Sequence, residues 1–120
     1  MIAGIGLDIV ELDRIAEIIK RNPKFIHRVL TVNEQNRLSQ LSETRKVEYV
    51  AGRFAVKEAF SKALGTGIGE QLSFLDIEVL NDELGKPVLK QNVTKHTVHV
   101  TISHSRQFAV AQVIIEMIEC

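Results

Sequence analysis

The sequence predicts an α+β fold with a mainly antiparallel sheet, and the order of three patterns predicts it. A β-rich run opens the chain at Ile2–Val10, helical periods fill residues 12–64, and strand-like segments occupy the last third. At 120 residues the chain has room for one core and little for a second, so 1–120 is read as a single domain.

Ile2 to Val10 is rich in Ile, Leu and Val, and its Gly4 and Gly6 let something approach the strand backbone closely. Leu12 to Arg21 carries Leu12, Ile15 and Ile18 or Ile19 at helical spacing and stops before Asn22 and Pro23. Asn22 is expected to cap a second short helix that has Pro23 at its first position and carries Phe25, Ile26 and Val29. Thr31 and Glu34 form a capping box, which opens a third helix reaching to about Leu41. Ser42 then caps a long helix from Glu43 to about Leu64, closed by Gly65. Beyond it the period changes. Leu72 to Leu80 alternates loosely and reads as a strand, and Asn81 to Pro87 as a turn. Thr97 to Ser103 alternates well, with Val98, Val100 and Ile102 on one face. After a tight connection over His104–Gln107, Phe108 to Ile118 is a long, mostly apolar final strand.

Composition excludes several classes. Apolar runs are broken by charge well before the ~20 residues that span a bilayer, so no membrane association is expected. The opening stretch lacks a basic flank and has acids close behind it, unlike a signal peptide. The single cysteine, Cys120, permits no internal disulfide and suits a reducing cytoplasm, the expected location. Net charge is zero, but five basic residues and one acid lie between Arg14 and Arg28. With 5% aromatics and no Trp, that patch is too small for a nucleic-acid binder and fits a small acidic partner.

Two carboxylates stand out. At about 100° per residue, Glu58 falls in the same helical arc as Val47, Val50, Ala51, Phe54 and Ser61. Phe60 and Leu64 lie off that stripe, so the helix should bury more than one side. Glu58 is either an ordinary surface partner of Lys62, four residues on, or a half-buried carboxylate that needs a cation. Asp8, in an apolar strand, either ends that strand or caps the next helix, or else joins Glu58. Together they suit Mg²⁺, which one or two carboxylates, waters and phosphate oxygens commonly hold. Zinc is disfavoured, because the histidines lack ligand spacing.

Cationic groups sit near these acids in sequence: Lys57, Lys62, Arg53 and Arg45. Gly65, Thr66 and Gly67 either approach a phosphate through backbone N–H groups or simply end the helix. They do not form a P-loop, since they follow a helix and lack its Lys and Ser/Thr. Ser103, His104 and Ser105 make a poor nucleophile pair, as neighbours on a strand point to opposite faces. A phosphate-contacting turn and a plain polar hairpin both remain open. His27, His96 and His99 read as surface or loop histidines.

Four segments together resemble one family: Gly4 to Glu11, Arg53 to Gly67, Gly85 to Pro87, and Ile102 to Ser105. In this order and at this length, the chain resembles the phosphopantetheinyl transferases, specifically the short bacterial holo-[acyl-carrier-protein] synthases. The resemblance implies transfer of 4′-phosphopantetheine from coenzyme A to a serine of an acidic acyl carrier protein, releasing 3′,5′-ADP. It implies Mg²⁺ on Asp8 and Glu58, with Lys62 on the phosphates as the third catalytic residue. Coenzyme A is expected to meet Arg45, Arg53, Ser61 and Lys62, then Gly65, Thr66 and Gly67, Gly85, Lys86 and Pro87, and Ser103, His104 and Ser105. A homotrimer with sites shared between subunits is implied too. Carrier docking falls to Arg14, Arg21, Lys24 and Arg28, with Ile15, Ile18 and Phe25 as apolar anchors. Two positions depart from the family pattern: Lys24 stands where Arg is expected, and Glu70 follows the glycine loop. The alternatives are a transferase for a synthase-bound carrier domain, a non-catalytic coenzyme A or nucleotide-binding module, and a purely structural oligomer.

Overall fold

The computed structural model describes residues 1–118; Cys120, and with it any role for the thiol, lies outside them. The order is β1 (Ile2–Glu11), α1 (Leu12–Arg21), α2 (Lys24–Val29), α3 (Val32–Leu38) and α4 (Glu43–Leu64), then β2 (Ile77–Asn81), β3 (Pro87–Gln91), β4 (Thr97–His104) and β5 (Phe108–Glu116). All strand pairs are antiparallel, as expected, but they form two sheets instead of one: β1-β5-β4, and a separate β2-β3 hairpin.

Helix α4 is the centre of the molecule. Val50, Ala51, Ala55, Val56, Ala59 and Phe60 are fully buried, so the helix buries most of its circumference, as the positions off its main stripe required. Its neighbour β1 lies unusually close. A Cβ added to Gly4 would come within 2.0 Å of the Ala63 carbonyl oxygen, and one on Gly6 within 1.8 Å of that of Ala59. Only glycine admits this contact, and the object approaching the strand is therefore α4 itself. The inward face of the sheet is completed by Ala109, Ala111, Val113 and Ile115 of β5. On the opposite face Ile5, Leu7 and Ile9 are exposed, beside Val110 and Ile114 of β5. Among the described residues nothing covers that apolar face.

The capping box at Thr31 has both halves in place, and Gly65 closes α4 in the left-handed conformation at φ 84°. Several boundaries differ from expectation. Asn22 ends α1, and Pro23, not Asn22, takes the cap position of α2. Helix α3 stops at Leu38, and β5 at Glu116. Ser42 precedes α4 without a side-chain cap bond. The strand expected from Leu72 is interrupted by a 3₁₀ turn at Phe74–Asp76, because Ser73 and Asp76 make a second capping box that outweighs the loose alternation. Strand β3 is absent from the expectation: a five-residue hairpin partner carries too little pattern to stand out.

Candidate active site

The glycine contacts position the first half of the site. With Gly4 and Gly6 seated on α4, the next inward residue of β1 is Asp8, which meets the last turns of that helix. There Lys62 Nζ donates to Asp8 Oδ1 at 3.0 Å and to the Leu7 carbonyl at 3.0 Å. Glu58 is half-buried, and its carboxylate accepts no hydrogen bond from the described residues. Burial pushes the Glu58 carboxyl up, the Asp8 carboxylate pushes it further, and Lys62 opposes both. The surface-pair reading of Glu58 with Lys62 therefore fails. Lys62 turns to Asp8, and Glu58 lies near enough to feel the charges of both.

No group of three or more His, Cys, Asp or Glu side chains gathers among the described residues, so no all-protein metal cage exists there. Two hard oxygen donors on rigid elements fit a Mg²⁺ ion that completes its shell from water and phosphate. The unsatisfied, upward-shifted carboxyl of Glu58 is the observation that makes the donor set fit a cation.

A second half-site lies along the other half of α4. Arg45, Glu48, Tyr49, Gly52 and Arg53 recur at helical spacing and line a cavity of about 780 Å³, closed by the β2–β3 turn and the end of β4. Of the predicted coenzyme A residues, Arg45, Arg53, Gly85, Pro87 and His104 come together there. His104 Nε2 lies 3.9 Å from Glu48 Oε2. The Arg53 guanidinium sits 4.0 Å over the Tyr49 ring, donates from Nε to the Val79 carbonyl at 3.2 Å, and reaches Asn81 Oδ1 at 2.6 Å. Burial pulls Arg53 down from its ordinary value, while Tyr49 and Glu34 hold it up. Arg37 also faces this cavity and escaped the sequence reading. It sits on α3, with no spacing relation to the Arg45 stripe that could have linked them.

Other predicted residues take structural roles. Ser61 is fully buried, and its hydroxyl donates to the Glu58 carbonyl at 2.7 Å, so its side chain faces no ligand. The N–H groups of Gly65, Thr66 and Gly67 all point at the Ser61 carbonyl, at 3.0–3.2 Å. These bonds close the helix as a C-cap. Lys57 is not a cation of the site: it is fully buried against Glu34 at 2.6 Å and the Val29 carbonyl at 2.6 Å. Its ammonium is pulled down by burial and held up by Glu34. Ser105 shapes the β4–β5 turn, its hydroxyl accepting from the Gln107 and Phe108 N–H groups. Ser103 and Lys86 are exposed and lie outside the cavity lining.

On the helical surface, Arg14, Lys24 and Arg28 are exposed, and Arg21 pairs with Glu17 at 3.0 Å. Two of the three expected anchors are corrected. Ile15 is 1% exposed and Phe25 8%, with the Phe25 ring centroid 5.8 Å from that of Phe54. Both belong to the core, because the α1 stripe that carries Ile15 is the one facing α4. Ile18 alone is partly exposed.

Comparison with known proteins places this geometry. The family model of the 4′-phosphopantetheinyl transferase superfamily matches residues 4–114. A holo-[acyl-carrier-protein] synthase of Anoxybacillus flavithermus is 63% identical over 116 residues, covering 97% of both chains. One of Bacillus cytotoxicus is 58% identical over all 120 residues of both. Among solved structures, the Bacillus anthracis holo-(acyl-carrier-protein) synthase in complex with CoA (3′,5′-ADP) superposes with a TM-score of 0.92 at 57% identity, covering 98% of each chain. The Helicobacter pylori synthase in complex with coenzyme A gives 0.83 at 37%, covering 93% of this chain and 99% of that one. With whole-chain identity at this level, an α+β fold in common and the acidic pair in place, this chain is a phosphopantetheinyl transferase and belongs to the holo-[acyl-carrier-protein] synthase family.

Proposed function

We propose that the chain transfers the 4′-phosphopantetheine arm of coenzyme A to a serine hydroxyl of apo-acyl carrier protein, releasing 3′,5′-ADP and supporting fatty acid biosynthesis in the cytoplasm. The observation that carries this reading is the pairing of Asp8 with Glu58 beside Lys62, three charged groups held on two rigid elements. No helix is long and apolar enough to cross a membrane among the described residues. Retention of the whole acidic cluster also counts against a non-catalytic binding module.

Phosphoryl transfer asks mainly for positioning and charge neutralisation. Mg²⁺ held by Asp8 and Glu58 would supply neutralisation of pyrophosphate charge. Lys62 leaves Asp8 for the phosphate of the departing nucleotide, its 52% exposed side chain being free to swing. The serine oxygen bonds to the pantetheine-side phosphorus, and the bond from that phosphorus to the bridging oxygen breaks. The electron pair leaves on 3′,5′-ADP. The hydroxyl proton passes to Glu58 or to a water beside it.

The arginine cavity and the acidic cluster lie on different faces of α4, roughly a third of a turn apart in direction and on opposite halves of its length. A homotrimer explains the separation: each acidic cluster meets the arginine cavity of a neighbour, and the uncovered face around Ile5, Leu7 and Ile9 is buried between subunits. Arg14, Arg21, Lys24 and Arg28, with Ile18, then meet the acidic carrier on the free helical surface. The test is mass spectrometry of apo-carrier incubated with the protein, coenzyme A and Mg²⁺. One added phosphopantetheine mass, prevented by EDTA, supports the reading; no modification of any of several carriers overturns it.

A further inference from the structure

One ion pair among the described residues is fully buried, and it belongs to neither half-site. Glu34, on α3, and Lys57, on α4, are both 0% exposed. Burying two charges is costly, and hydrophobic replacements often serve stability equally well. The neighbours of this pair show what it does. Glu34 Oε1 accepts from Lys57 Nζ at 2.6 Å and from the Thr31 N–H at 2.8 Å. Its other oxygen, Oε2, accepts from the N–H of Val79 at 2.7 Å. Val79 lies on β2, and its carbonyl is taken by Arg53 Nε. Glu34 and Arg53 thus dress both backbone groups of one strand residue, as a neighbouring strand would.

From Val79 the contacts run on toward the cavity. Arg53 holds Asn81 Oδ1, and Asn81 Nδ2 donates to the Gly85 carbonyl at 2.8 Å. Gly85, at φ 84°, and Pro87 form the cavity wall on that side. At the other end of the chain of contacts, Lys57 immediately precedes Glu58 on α4.

We propose that Glu34 is a positioning residue: by clamping β2 to α4 through Lys57 and Val79, it sets the β2–β3 wall of the cavity and so the binding of the coenzyme A nucleotide. The role rests on the transfer reading above. Glu34 never touches substrate. It acts through Val79, Arg53 and Asn81, and its loss is felt in nucleotide binding and not in the chemistry at Glu58.

The test compares the wild-type protein with Glu34→Gln in steady-state transfer, following coenzyme A and carrier separately. The two carboxylate oxygens of Glu34 receive three donors, and a Gln amide turns one oxygen into a donor facing an N–H. The expected result is a KM for coenzyme A raised roughly five- to ten-fold, the scale of one lost hydrogen bond, with kcat and the carrier KM within two-fold. Amide exchange should quicken over β2 and β3 while β1 and β5 keep their protection. If Glu34→Gln fails to fold, Asn81→Ala, at the end of β2 on the cavity rim, removes the acceptor of the Arg53 guanidinium farther along the same path and should give the same split. A folded variant with unchanged coenzyme A KM, or one whose kcat and both KM values change together, overturns the role. Wild-type protein that binds no coenzyme A overturns the transfer reading itself, and so separates the two failures.

Discussion

Glu58 is the residue on which most depends, and its environment predicts an unusual stability signature. Burial and Asp8 hold its carboxyl above the ordinary range, so its folded value exceeds its unfolded one. The stability from such a group is complete below the unfolded value and is lost as pH rises through the folded value. At pH 7 an ionised Glu58 without a cation therefore destabilises the protein. Because the residue is only half-buried, solvent screens part of the effect. Glu58→Gln should raise the Tm of the EDTA-treated protein at pH 7 by about 1–3 °C, with the gain fading as pH falls toward the carboxylate range. Turnover should fall by about 10²–10⁴-fold. Added Mg²⁺ should raise the Tm of the wild type and not that of the variant. Equal Mg²⁺ responses in calorimetry would remove Glu58 from the metal site. At this scale the sequence was partly legible. The helical arc placed Glu58 on a buried stripe, and Asp8 stood out in an apolar strand. What could not be read was partner choice: Lys57, Glu58, Ser61 and Lys62 share a few turns of one helix, yet burial makes two of them structural and leaves two for chemistry.

Among the elements, the contact of β1 with α4 and the pair α1–α2 each carry a prediction. Gly6 leaves no room for a methyl group, the Ala59 carbonyl lying 1.8 Å from where a Cβ would stand. Gly6→Ala must push β1 away from α4, at a cost of about 3 kcal/mol or more. It also carries Asp8, two residues on, out of register with Glu58, and a displacement near 1 Å costs roughly 100-fold in rate. Urea denaturation and turnover measure the two effects; a variant of native stability would mean that the close approach is not real. On α1, the exposed Arg14 belongs to a surface with no role in either half-site. Arg14→Ala, or raised salt, should weaken carrier binding several-fold more than coenzyme A binding, since exposed charge pairs are screened within about 8–10 Å. Equal losses for both ligands would count against the docking surface. Helices and their caps could be read closely from sequence because their signals are local: a capping box at Thr31 and a glycine stop at Gly65. The strands of the second sheet could not. There the decisive interactions are side chains reaching from distant helices, Glu34 and Arg53 to Val79, and no local period encodes them.

For the whole molecule the question is whether one chain can complete a site. The acidic cluster of Asp8, Glu58 and Lys62 and the cavity of Arg45, Arg53 and His104 sit on separate faces of α4, and the sheet leaves Ile5, Leu7 and Ile9 uncovered. The proposed cyclic trimer would join the cluster of each subunit to the cavity of the next, and that arrangement has an arithmetic consequence. Glu58→Gln damages only the first half-site, and Arg45→Glu only the second; each homotrimer alone should be inactive. Mixed trimers of the two behave differently. Going round a ring that contains both kinds of chain, one junction always joins an intact cluster to an intact cavity. Random one-to-one mixing leaves most trimers mixed, each with one working site, so activity should recover to roughly a quarter of wild type. Sites confined to single chains would give none, since every chain carries a lesion. Denaturing the two variants together, refolding them and assaying carrier modification distinguishes these outcomes. Leu7→Asp, in the centre of the uncovered face, supplies the control: subunits unable to associate should lose activity and elute as monomers in size-exclusion chromatography. If they stay trimeric and active, the uncovered face is not the interface. If they become monomeric and stay active, each chain completes its own site, and the separation of the half-sites along α4 has another meaning.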